Sequence, residues 1–211
     1  MTKSARCLAV AVVVAIAAVG CATFPDREQT RETGEQMIAQ SFSAPEPRLL
    51  KRLVQDESQK LCSRIERTPL KQEEAAEVVA LARASIKYPA SGRLSGDWRI
   101  GEKLAYDGAG ARIQFGRLET RKENGGLCQN CHALNPGDVN VGNVGPSLTG
   151  YGARGNSEAI VKYTYERIYN AWAFFPCSNM PRLGATGHLT PEQITHLVAY
   201  LTDPKSSLNR R

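Results

Sequence analysis

Cys128-Gln-Asn-Cys131-His132 is the stretch whose residue types and spacing point most directly to chemistry. Two thiols three residues apart share one turn of chain, and an imidazole follows the second. Such a pair suits a dithiol redox centre, half of a zinc site, or attachment of a porphyrin. A redox pair would want a strand before it and has no need of the histidine. A zinc site would want a second ligand pair, and His188 and His196, the other two histidines, are eight apart and do not form one. Attachment of a porphyrin uses all three residues: the thiols reach its two vinyl groups as thioethers, and the imidazole projects onto the iron. The motif is therefore read as one covalent haem c on Cys128 and Cys131, with His132 as an iron ligand.

The opposite face of that iron could be met by Met180, Met37, His188, His196 or nothing. Met37 lies far upstream in a polar stretch. His196 falls on the polar side of a helical pattern, where exposure is expected, and His188 sits in "TGHLT", a position that suits capping or solvent. Met180 lies in "FFPCSNMPRLG", a segment without helical or strand periodicity, with Pro181 to stiffen the chain and Gly184 to let it turn. Met180 is the expected ligand, and His/Met ligation favours electron transfer over ligand activation because no coordination position stays open. A ligating imidazole usually donates its other N–H to a carbonyl, and Pro146 in "NVGPSLTGYGARG" is the expected acceptor. Arg154, Arg182 and Lys162 are possible partners for the two haem propionates.

These residues need elements to hold them. "PRLLKRLVQDESQKLCSRIE" carries Leu50, Leu53, Val54, Leu61 and Ile65 at helical spacing, with Cys62 beside that face. "TPLKQEEAAEVVALARASIKYP" reads as a second helix with Thr68 as N-cap and Pro69 at its first position. Together they predict a helical hairpin over about 46–88, preceded by a polar linker or loosely held arm at 23–47. A break near residue 95 leads to "GDWRIGEKLAYDG", a helix capped by Asp97. The stretch from Gly108 to Tyr151 is rich in Gly and Asn and reads mostly as loop. "GNSEAIVKYTYERIYN" is the next helix, and the last has the clearest start. There Thr190 is N-cap, Pro191 follows, Gln193 closes a capping box, and Ile194, Leu197, Val198 and Leu201 form one face. No internal repeat is visible, and no alternating run is long enough to argue for a sheet.

Lys3 and Arg6 precede the 13-residue apolar run Leu8 to Gly20, the proportions of a signal-peptide core and too short to span a bilayer comfortably. "AVGC" resembles a bacterial lipobox, which would leave a lipidated Cys21 as the mature N-terminus; ordinary cleavage after Ala22 is the other option. Either predicts export. Without residues 1–20 the chain holds 25 basic and 21 acidic residues, a net +4. That suits an anionic partner or membrane surface, but it is not the concentrated basic patch of a nucleic-acid binder.

"CQNCH", "GPSLTGYG" and "MPRLG" ahead of a capped C-terminal helix resemble class I c-type cytochromes. Within that class, "GDWRIGEKLAYDG", "GPSLTGYGARG" joined to "YTYERIYN", and "PCSNMPRLG" followed by "LTPEQITHLVAYLTDP" are similar to the SoxX cytochromes. These are the smaller subunits of the SoxAX complexes of bacterial sulfur oxidation. The resemblance implies an all-α, class I cytochrome c-like haem domain with an N-terminal helical extension. The expected division is a signal or lipobox-like segment at 1–21, the arm and hairpin at 22–95, the haem domain at 96–205 and a tail at 206–211. It also implies a periplasmic heterodimer with a SoxA-type cytochrome that oxidatively joins thiosulfate to a cysteine of a SoxYZ-type carrier protein, an L-cysteine S-thiosulfotransferase type of reaction. Electrons would pass through the present subunit to a downstream cytochrome. By motif, the family's attachment cysteines fall on Cys128 and Cys131 and its axial ligands on His132 and Met180.

With two cysteines taken by haem, Cys7 in the signal region and Cys21 either lipidated or lost, parity leaves Cys62 and Cys177. In an oxidising compartment these are expected to form a disulfide. No nucleophile–base pair is visible, so independent catalysis is not assigned to this chain. A stand-alone periplasmic electron carrier and a membrane-tethered assembly subunit are the alternative functions.

Overall fold

The computed structural model of the chain describes residues 27–64, 68–108, 110, 112–119, 124–135, 137–138 and 142–210. Cys21 and Ile65 lie outside them. The chain divides into two units, residues 1–42 and 43–211. In the first, Arg27–Ser41 is a helix, α1, where the sequence suggested a loose arm. The correction has a local reason: the segment is rich in Glu, Gln and Arg, and Arg31 pairs with Glu35 one turn on at 3.2 Å. α1 is polar on all sides, and its Met37 is 62% exposed.

In the second unit, the single helix expected across "PRLLKRLVQDESQKLCSRIE" is broken. Pro47–Leu50 forms α2, a 3₁₀ turn covers Lys51–Leu53, and α3 restarts at Glu57–Cys62. Asp56 causes the restart: its Oδ1 accepts from the Gln59 N–H at 2.8 Å, and Gln59 Oε1 accepts from the Asp56 N–H at 3.1 Å. A reciprocal cap of this kind stabilises a helix start more than an uncapped continuation would. The next helix, α4, is Gln72–Ala84, three residues later than Thr68 and Pro69 suggested, because Lys71 and Glu74 form its first-turn contact. α4 buries Val78 and Ala82. It packs against a 3₁₀ turn at Ala171–Ala173, where Asn170 Nδ2 donates to Ser85 Oγ at 2.9 Å.

α5 is Trp98–Tyr106, α6 is Glu158–Tyr169 and α7 is Pro191–Thr202. α5 and α7 cross closely. A Cβ on Gly101 would lie 2.0 Å from the carbonyl oxygen of His196, so only glycine lets the backbones approach this far. The same crossing draws His196 partly out of solvent: its Nδ1 accepts from the Asp97 N–H at 2.8 Å, and the residue is half-buried rather than exposed. α7 begins with the reciprocal Thr190–Gln193 cap. Leu104 and Ala105 of α5, Tyr165 and Ile168 of α6, and Ile194, Leu197 and Val198 of α7 share one core with Leu134, Leu183 and Leu189 from the loops. Between α5 and the CxxCH segment, β1 (Arg112–Gln114) and β2 (Arg117–Glu119) pair antiparallel, with Ile113 opposite Leu118. This small hairpin was not apparent in the sequence. Its strands are too short for alternation to register.

Candidate haem site

A cavity of about 620 Å³ opens between α5, α6, α7 and three loops. Its size lies within the roughly 300–1,000 Å³ of cofactor sites, and its walls are mostly apolar. Cys128, His132, Pro146 and Met180 all contribute to those walls.

The attachment segment is held before and after the motif. Ahead of it, the Gly126 N–H donates to Leu104 O at 2.7 Å and the Leu127 N–H to Asp107 O at 3.1 Å, both at the C-terminal end of α5. His188 Nε2 donates to Gly125 O at 2.8 Å, so this residue, expected as a capping or solvent group, pins the approach to the motif. After it, the chain runs beside residues 142–148. The Gly142, Gly145 and Leu148 N–H groups donate to Gln129, Cys131 and Ala133 carbonyls at 2.9, 2.8 and 2.9 Å.

That alignment places the imidazole. His132 Nδ1 is 2.7 Å from Pro146 O. A carbonyl only accepts, so Nδ1 is the donor and Nε2 is the nitrogen left to face an iron. Gly145 makes room for the ring, since a Cβ there would lie 2.2 Å from His132 Cε1 and 2.5 Å from Nδ1. Cys128 and Cys131 take no part in a disulfide, whereas Cys62 and Cys177 are joined by one with Cα atoms 5.4 Å apart. Burial pushes the Cys128 thiol up to about 11. The Cys128 thiol, one oriented imidazole and a thioether on the wall of one apolar cavity, with Cys131 one turn from Cys128, fit a covalently attached haem: Cys128 and Cys131 would carry it and His132 would face its iron.

The basic residues separate into different roles. Arg154 lines the cavity with its guanidinium 4.9 Å from the Tyr151 ring centre. Lys162 lies 3.9 Å from Glu166 and is not on the wall. Arg182 turns away to Asp56, at 2.7 Å. Arg167, which the sequence reading passed over, does line the cavity and donates to Ala171 O at 3.2 Å. Its signal was its spacing on α6, one turn from Tyr163 and Thr164 and next to Ile168.

An all-helical core with a CxxCH turn on the wall of an apolar cavity defines a class I c-type cytochrome. Residues 125–203 match the cytochrome c family. Over 156 residues the chain is 43% identical to an uncharacterised lipoprotein of Aquifex aeolicus (strain VF5), covering 74% of this chain and 73% of that one. The chain belongs to the cytochrome c family, whose members carry haem c covalently and transfer electrons through its iron. Among the described residues no helix is long and apolar enough to cross a membrane.

Proposed function

We propose that this protein is a monohaem electron-transfer subunit of a SoxAX-type complex, with His132 and Met180 as the axial ligands. The observation that carries the ligation is that Met180 lines the same cavity as Cys128 and as His132, whose Nδ1 is committed to Pro146. When bound, the haem supplies one-electron exchange at its iron. The chain's own part is to orient His132 through Pro146 and to keep water from the iron with apolar walls. Occupying both axial positions with side chains disfavours binding of outside ligands.

The assignment to a SoxAX-type complex rests on the order of motifs from "GDWRIGEKLAYDG" to "LTPEQITHLVAYLTDP". In such a complex, joining thiosulfate to a carrier cysteine forms a sulfur–sulfur bond and releases the thiol proton and two electrons, which leave one at a time. The partners would be a SoxA-type cytochrome, a SoxYZ-type carrier and a downstream acceptor. Export with a lipid on Cys21 is supported by the lipobox-like "AVGC" and by the relative's being a lipoprotein.

Purification from the native host tests the reading. A second c-type cytochrome should copurify, and the mature N-terminus should carry the mass of acyl chains. A protein that purifies alone, from cells whose thiosulfate oxidation survives its deletion, would sink the complex assignment.

A further inference from the structure

The loop that carries Met180 is tied to one short helix of the N-terminal extension on both sides of the methionine. Three residues before it, Cys177 is bonded to Cys62, the last residue of α3. Two residues after it, Arg182 Nη1 lies 2.7 Å from Asp56 Oδ2, at the N-cap of the same helix. The Asp56 carboxylate therefore does two jobs: one oxygen caps α3 through the Gln59 N–H, and the other meets Arg182.

The Arg182 side chain is 9% exposed, and its guanidinium sits 4.3 Å from the centre of the Trp172 ring. Asp56 is 52% exposed, so solvent screens the pair from that side, while the ring contact of the buried guanidinium gains strength over a surface equivalent. Trp172 Nε1–H donates to Ser178 O at 2.7 Å, and Ser178 Oγ accepts from the Met180 N–H at 3.2 Å. A continuous series of contacts thus leads from Asp56 through Arg182, Trp172 and Ser178 to the backbone of Met180. Cys177 itself has φ +60, a left-handed conformation that a non-glycine residue holds only where its surroundings impose it.

We infer that α3 is a clamp for the axial methionine, and that Asp56, Arg182 and Trp172 are positioning residues that hold Met180 toward the iron. This inference rests on the reading of Met180 as a ligand. Its physical basis is that Met180 lies outside any helix or strand, so side-chain cross-links add to the loop's few backbone hydrogen bonds in limiting the excursions of its sulfur. A minimal haem domain without the extension would lack both cross-links.

Imidazole binding to the ferric holoprotein tests the clamp, because an outside ligand enters only when the methionine leaves. Asp56→Asn is the key variant: asparagine caps a helix as well as aspartate does, but its amide cannot both cap α3 and accept from Arg182. Trp172→Phe keeps a ring under the guanidinium and removes the donor to Ser178. Each should bind imidazole about tenfold more tightly than the parent and weaken the methionine–iron charge-transfer band. Glu57→Gln, which breaks only the Glu57–Lys60 pair on the same helix, should leave both unchanged. A parent that shows the band, with Asp56→Asn and Trp172→Phe binding imidazole as the parent does, overturns the clamp and leaves the ligand assignment standing. Equal tightening by Glu57→Gln also overturns it, because the effect would then be general loosening. A parent without the band overturns the ligand assignment first, and the clamp with it.

Discussion

His132 Nδ1 faces the carbonyl oxygen of Pro146 at 2.7 Å, and the residue before that proline is a glycine packed against the same imidazole. The ring is thus held by a hydrogen bond on one edge and by a bare Cα beside it.

Gly145→Ala should displace the imidazole, because the new methyl would lie 2.2 Å from Cε1 and 2.5 Å from Nδ1. Overpacking of this kind costs about 1–3 kcal/mol. The ferric protein should show a smaller low-spin fraction and a shifted midpoint potential. A spectrum and potential equal to the parent's would show that the ring has room to spare.

Gly101→Ala tests the crossing of α5 and α7. The added methyl meets the His196 carbonyl oxygen at 2.0 Å, and backbone cannot swing aside as a side chain can. The helices must separate along a core seam, at about 1–3 kcal/mol or more. A urea midpoint within error of the parent's would contradict the close approach.

Cys62→Ser should destabilise the chain without removing a core side chain. The bond spans 115 residues, and loss of a native disulfide typically costs about 2–5 kcal/mol. Chemical unfolding of the variant against the parent, and of both after thiol reduction, reads this directly. After reduction the two curves should converge; a gap that persists would assign the cost to the serine rather than to the lost bond.

Tyr88→Phe should alter stability in alkali. Tyr88 donates to a Glu166 carboxylate, and that hydrogen bond, with some burial, raises its hydroxyl to about 12 from the usual value near 10. Below pH ~10 the tyrosine is protonated in both folded and unfolded chains and its contribution is complete. From about pH 10 to 12 the unfolded chain loses the proton first, so stability falls as pH rises through that window. The phenylalanine variant should start less stable and fall less steeply there. Tyr106, Tyr165, Tyr169 and Tyr200 are raised as well, chiefly by burial, and remain in both proteins, so the difference between the two slopes reads Tyr88 together with its small effect on the neighbouring Tyr165. Identical slopes would refute the assignment.

What could be read from the chain alone is what neighbours along it decide. The Cys128–Cys131–His132 spacing sets which groups share a turn, and the Thr190–Gln193 cap and the Ile194–Leu201 stripe are settled within two turns of helix. The break before α3 was also local, yet Asp56 was missed because apolar spacing on either side suggested one continuous helix. The tertiary structure decided the contacts whose cost or benefit depends on distant chain. Counting cysteines left Cys62 and Cys177 together, but only folding brings residues 115 apart to a Cα separation of 5.4 Å. Arg182 stood with Arg154 and Lys162 as a possible propionate partner, and its pairing with Asp56 follows from where α3 lies. His188 and His196 read as surface residues because hydropathy treats a histidine alike whether or not a carbonyl or amide waits for it. Partner identity is set by approach in space, and a polar side chain carries no mark along the sequence of which partner the fold will bring.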